Sequence, residues 1–222
     1  MLLVPPPLFR SSVKSASIAY LYHGASNTAA TTKTFSAVPF GAGDASRCIL
    51  VGVCFATGTG TLLNAVTIGG VAATKVITTY SNGVWRSEYW LASVPTGASG
   101  NIVLTNSNGT SDQCFIGAWR VTDLLSTTPV HVLTGTSTQN QSVNLNVPAG
   151  GIAVGIRATQ NSTIRTHTWT GIVENFDFTY FASVGGGTGA CNAFAAEQAP
   201  LAITCNASGA AAAGLARYAS FR

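Results

Sequence analysis

"VPTGASGNIVL" (residues 94–104) and "VPAGGIAVGI" (residues 147–156) place one device before an apolar, β-branched run: a Val-Pro step followed by a glycine corner. Proline fixes φ and offers no amide hydrogen, so it belongs at strand ends and corners. The glycines behind it permit a sharp change of direction. Both stretches therefore predict corners at which the chain crosses between sheets and enters a new strand. Their repetition predicts two similarly built halves, as in a Greek-key or jelly-roll sandwich.

Outward from these corners the chain reads as strand after strand. "SIAYLYH" (17–23), "TKTFSAV" (32–38), "RCILVGVCFA" (47–56), "GVWRSEYWLASV" (83–94), "CFIGAWRV" (114–121), "FDFTYFASV" (176–184) and "LAITCN" (201–206) are β-rich runs separated by turn signals at the short spacing of sandwiches. Gly69-Gly70 predicts a tight turn or bulge, and Asn82-Gly83 and Asn108-Gly109 predict hairpins, since Asn and Gly accept positive φ. No stretch sustains helical apolar spacing. The run Ala210–Ala213 has high helix propensity, but glycines hem it and the following "LARYASF" alternates, so it reads as strand. The expected fold is all-β: a single jelly-roll or Greek-key β-sandwich domain over residues 15–222, preceded by a short extended Pro-rich docking arm over residues 1–14.

Composition narrows the function classes. Charged residues are 8% of the 222, against about 25% in ordinary globular chains. Disorder does not explain this, because hydrophobic residues reach 46% and the net charge is only +4. A neutral surface rich in Ser, Thr and Asn suits a protein packed among neighbours or one that meets sugars. The basic residues are scattered, whereas nucleic-acid binding needs a basic patch, so no nucleic acid is expected. "MLLVPPPLFRSSVK" (1–14) lacks the early basic segment and long apolar core of a signal peptide. No run approaches the ~20 apolar residues of a membrane helix, so no membrane partner is expected either. Leu2, Leu3, Val4, Leu8 and Phe9 instead make residues 1–14 an apolar, polyproline-like docking arm for a neighbouring chain.

Candidate chemistry is sparse. Glu174 and Asp177 in "ENFDF" are the one close acidic pair, and two carboxylates flanking a sugar are the hydrolytic arrangement. Three residues apart on a strand, they should face opposite sides. His23, His131 and His167 are far apart and no G-x-S-x-G elbow appears. "GGGTG" (185–189) lacks the lysine and helix of a phosphate loop and reads as a loop tip. No Cys/His spacing suits zinc. The sequence therefore predicts no catalytic, cofactor or metal site. Among the tryptophans, Trp90 and Trp119 read as core, while Trp85 and Trp169 are the candidates for a binding surface. Five cysteines leave at least one thiol unpaired within the chain. Cys48 and Cys54 lie on one strand and cannot bond each other, whereas Cys191 and Cys205, on consecutive predicted strands, are a candidate disulfide.

At "VTIGGVAAT" (66–74), "YWLASVPTGASGNIVLT" (89–105), "LNVPAGGIAVGI" (145–156) and "TWTGIVENFD" (168–177), and in its Ala-rich end "ASF" (219–221), the chain resembles a family of β-rich proteins. These proteins are encoded in the structural-gene regions of tailed bacteriophages and prophages. The resemblance spans about residues 16–221 and rests on turns. It implies a jelly-roll-like, non-enzymatic virion component, assembled in the bacterial host cytoplasm, that decorates or cements the capsid or neck through the arm. The implied partners are major capsid or neck and tail proteins and further copies of this chain, a trimer being favoured. The alternative is a receptor- or glycan-binding module of a tail fibre, with a host-surface glycan as partner.

Overall fold

A strand covered on one side alternates apolar with polar, and a strand covered on both sides cannot. "CILVGVCFA" and "GIAVGIRATQ" do not alternate, and the computed structural model buries both on two faces. It describes residues 14–56, 63–82, 85–106, 113–135, 139–160, 166–180, 185–208 and 214–222. The apolar arm residues Leu2, Leu3, Val4, Leu8 and Phe9, the Asn108-Gly109 turn and the Ala210–Ala213 run lie outside these.

Among the described residues every regular element is a strand. The first half holds β1 (Ser17–Ser26), β2 (Thr32–Pro39), β3 (Cys48–Ala56), β4 (Leu63–Ile68), β5 (Val71–Ala72), β6 (Thr74–Ser81), β7 (Trp85–Ser93), β8 (Ser99–Asn106) and β9 (Cys114–Thr122). The second holds β10 (His131–Gly135), β11 (Asn140–Val147), β12 (Gly151–Gln160), β13 (His167–Thr170), β14 (Val173–Tyr180), β15 (Gly185–Phe194), β16 (Gln198–Ala207) and β17 (Gly214–Phe221).

Each half is a sandwich of one five-stranded and one smaller sheet, where the sequence predicts one sandwich over the whole of residues 15–222. The large sheets run β1-β9-β3-β7-β6 and β10-β17-β12-β15-β14, and the small ones β2-β8-β4-β5 and β11-β16-β13. With β5 set aside, the two orders match strand for strand: first beside last, last beside third, and second beside next-to-last. This alternation of strands between two sheets is jelly-roll-like. The extra β5 pairs with β4 at the edge of the small sheet, and the chain then continues as β6, which pairs with β7 at the edge of the large one.

The large sheets stack face to face. Leu50, Tyr89 and Trp119 of the first half share a core with Ile156, Phe176 and Leu215 of the second. The other face of each large sheet carries its own small sheet, over Phe35, Val51 and Ile102 in one half and Leu145, Ala153 and Ile203 in the other. The molecule is thus four sheets deep.

Both Val-Pro corners cross between sheets as expected, 94–98 from β7 to β8 and 148–150 from β11 to β12. The corner that repeats between the halves is a third, Val38-Pro39-Phe40-Gly41, which joins β2 to β3 as Val147-Pro148-Ala149-Gly150 joins β11 to β12. All three share the form Val-Pro-x-Gly. The valines are buried, and the glycines sit at φ +72°, +79° and +70° (Gly41, Gly97, Gly150), where a side chain is strained. This geometry turns carbonyls toward an arginine. Arg47, fully buried, donates to the carbonyl oxygens of Phe40 (3.2 Å), Gly41 (2.8 Å) and Ala42 (2.9 Å) in one corner, and of Val94 (2.5 Å), Thr96 (2.6 Å) and Gly97 (2.7 Å) in the other. At the third corner Arg222 donates to Ala149 O.

"GGGTG" (185–189) is a correction: it opens β15 and is buried throughout. Its glycines leave room for rings from neighbouring strands. A Cβ on Gly189 would lie 2.5 Å from the Phe176 ring and 3.0 Å from Trp119, and one on Gly117 would lie 2.6 Å from Trp119 and 2.8 Å from Phe176. These glycines let Trp119 and Phe176 meet between the halves, 6.2 Å apart at their centroids.

Overpacking such a core costs about 1–3 kcal/mol, so Gly189→Ala and Gly117→Ala should each lower the unfolding free energy by about that much in urea titrations. Arg47→Met, which strands two corners' carbonyls without donors, should cost at least about 3 kcal/mol, and Arg47→Lys should recover only part of it because an ammonium cannot reach both corners.

Candidate functional site

The scarcity of charge has a location. On the small sheet of the first half the outward rows are Thr32–Thr105–Ala65 and Thr34–Val103–Thr67, with Phe35, Ile102, Leu104 and Val66 pointing inward between them. On the small sheet of the second half they are Asn140–Asn206–Thr168 and Ser142–Thr204–Thr170. Thr170 and Thr204 share a hydroxyl hydrogen bond of 2.5 Å. None of these outward residues is charged, so both broad outer faces are neutral lattices of hydroxyls, amides and small apolar groups.

One of these faces is indented. A groove of about 420 Å³ is lined by Thr67, Gly69, Gly70, Ser99, Gly100, Asn101 and Val103. Gly69 and Gly70, both at positive φ, form the turn between β4 and β5. A Cβ on Gly100 would lie 2.9 Å from Gly69 Cα and 2.7 Å from the Phe40 ring, so the floor is bare backbone over an aromatic. The "IGG" turn was legible in the sequence, but a floor of backbone packed down on Phe40 depends on tertiary contacts and leaves no residue-type signal.

The tryptophans expected at a surface are not there. Trp85 is 1% exposed within the core between the large sheets. Trp169 is 7% exposed, and its Nε1 donates to Thr188 Oγ1 at 2.8 Å. Each side chain falls on the inward parity of its strand. Trp90 and Trp119 are buried as expected. Cys191 and Cys205 do not pair either. Cys191 faces the core between the large sheets and Cys205 the core beneath the small sheet of the second half, because β15 and β16 belong to different sheets.

The acidic pair is also repositioned. A register shift between Glu174 and Phe176 sets Glu174 opposite Ala190 and Asp177 opposite Thr188, so both carboxylates share one face. Burial, then the charge of Asp177, raises the Glu174 pKa. Asp177 is already engaged. Its Oδ2 accepts from the His167 amide at 2.7 Å and its Oδ1 pairs with His167 Nδ1 at 2.6 Å. His167 Nε2 in turn meets Thr159 Oγ1 at 3.2 Å. This Thr–His–Asp chain has the order of a nucleophilic relay, but Thr159 is fully buried and a Cβ on neighbouring Gly186 would lie 3.0 Å from His167 Cε1. No room remains at the hydroxyl for a substrate, and the chain fastens β13 to β12 and β14.

The other histidines stand elsewhere. His23 stacks on Phe176 and Phe178, and His131 Nδ1 accepts from the Asn146 amide. Glu88 is fully buried against Lys75 Nζ at 2.5 Å, and desolvation raises its pKa. Among the described residues no three His, Cys, Asp or Glu side chains gather as metal ligands.

No protein-family model, no curated protein and no solved structure matches the chain.

Burial pushes the thiols of Cys54, Cys114, Cys191 and Cys205 up to about 12, and Cys48 is partly buried. A disulfide-exchange reagent at mildly alkaline pH should label at most Cys48 quickly in the folded protein and all five cysteines after denaturation. Rapid labelling of two or more thiols in the native state would contradict this packing.

Proposed function

We propose that this chain is a non-enzymatic structural protein of a tailed-bacteriophage particle, decorating or cementing the head or neck. The observation that carries the reading is the pair of neutral outer faces on a four-sheet body. Charged side chains are costly to bury against a neighbour, and lattices of small hydroxyl and amide groups can be covered at less desolvation cost. The Val-Pro and "IGG" turns of the sequence resemblance support the virion assignment, and the jelly-roll-like halves agree with it. Residues 1–14 serve as the docking arm. The chain enters the body at Ser15–Ala16, where the Ala16 amide donates to Gly150 O at 2.9 Å beside the corner held by Arg222. An arm leaving from that point is anchored at a fixed corner. Further copies of the chain complete a symmetric assembly.

The test is incorporation into particles. Deleting residues 2–14 should lower the copy number per particle at least about tenfold, the loss of roughly 1.4 kcal/mol of docking energy, while the body still folds. Electron cryo-microscopy of the assembled particle should place many copies on the head or neck. Unchanged incorporation of the deletion variant would refute the arm's role, and density confined to a tail tip would refute decoration.

A further inference from the structure

We infer that the glycine-floored groove on the outer face of the first small sheet binds a neutral sugar, a mono- or disaccharide. Its size, about 420 Å³, falls at the small end of ligand pockets, which run from about 300 to 1,000 Å³. No charged side chain lines it, so an ionic ligand would lose hydration and gain no counter-charge. A sugar ring loses less and finds partners. Thr67 and Ser99 offer hydroxyls that donate or accept. Asn101 is held in place because its Oδ1 accepts from the Ala37 amide at 3.2 Å, which leaves its NH₂ as the donor. Val103 and the glycine Cα–H groups offer an apolar surface to the C–H face of the ring.

The shape is built rather than incidental. Gly70 has open space where a Cβ would stand, while Gly69 and Gly100 close over Phe40 so tightly that neither can carry one. The floor is thereby fixed in backbone, and a ligand meets it without displacing a side chain. With few hydrogen bonds and no stacking aromatic, affinity for a single ring should be weak, on the order of millimolar. Further copies on a particle would raise the avidity. The groove binds when the first half's outer face stays open, leaving the second half's face to be covered in the proposed assembly. Sugar binding is measured on the free chain and incorporation on particles, so the two fail separately.

The experiment is saturation-transfer NMR on the purified full chain with the methyl glycosides of glucose, galactose, mannose and N-acetylglucosamine, and with 3′-sialyllactose as an anionic comparison. At least one neutral glycoside should receive saturation and shift the amides of Gly70 and Asn101. Val103→Arg and Thr67→Tyr, outward strand positions that fill the groove, should weaken that binding by at least about tenfold. Thr67→Val, which keeps the shape and removes one hydroxyl, should weaken it less and keeps the test valid if the larger substitutions unfold the sheet. The inference is overturned if no neutral glycoside is saturated, if only 3′-sialyllactose binds, if the shifted amides lie elsewhere, or if neither groove-filling variant that folds reduces binding.

Discussion

The guanidinium of Arg47 and the carbonyls around it hold the first sandwich closed. A corner that reverses the chain between sheets leaves peptide oxygens pointing away from any ladder, and such oxygens must find donors. Val-Pro-x-Gly concentrates the problem. Its proline supplies no donor, and its positive-φ glycine swings the preceding carbonyls to one side. A planar group with five N–H donors in fixed directions suits the arrangement better than any other side chain. Arg47 serves the β2–β3 and β7–β8 corners at once, so the entry to the central strand and the exit from its neighbour are tied to one cation. Peptide oxygens surround the charge, and among the described residues no carboxylate bonds it.

From those corners the chain feeds two sheets whose central strands have no face in water. That constraint accounts for the continuous apolar strands, the glycines facing rings, and the way interior arginines are spent on carbonyls. Arg157, fully buried in β12, donates to Cys205 O and to Gln139 O, which draws the second small sheet onto its partner. Arg217 reaches Thr78 O across the junction between the halves at 2.8 Å. With the interior holding such charges on backbone and the outer faces holding none, a low charge content follows from the layer count as much as from any partner.

Much of this was legible in the sequence, for reasons specific to each element. Strand character showed because β-branched runs between turn residues have one reading, and the Val-Pro corners showed because proline and glycine restrict the backbone locally. The third corner carries the same letters at 38–41 but opens on a longer loop before its strand, which hid its kinship with 147–150. "GGGTG" misled because glycine usually marks a loop; its burial depends on aromatic rings from β9 and β14, a fact of tertiary packing. Trp85 and Trp169 were misplaced because proximity to a turn and to threonines does not fix the parity of a strand. The bulge after Glu174 reversed the facing of the acidic pair, and the Cys191–Cys205 proposal failed because consecutive strands in this topology belong to different sheets. The groove was beyond reach, since its floor depends on Gly69 and Gly100 packing onto Phe40, a tertiary contact.

The ring cluster between the large sheets bears on how the molecule comes apart. Each half has a complete strand order and could be taken for a self-sufficient unit. Yet the space above Gly117 in the first half is shared by Trp119 of that half and Phe176 of the second, and the space above Gly189 in the second by Phe176 and by Trp119 of the first. The two halves share one core there, with rings from both. A change of volume on one side is felt by rings of the other, which couples the unfolding of the two halves.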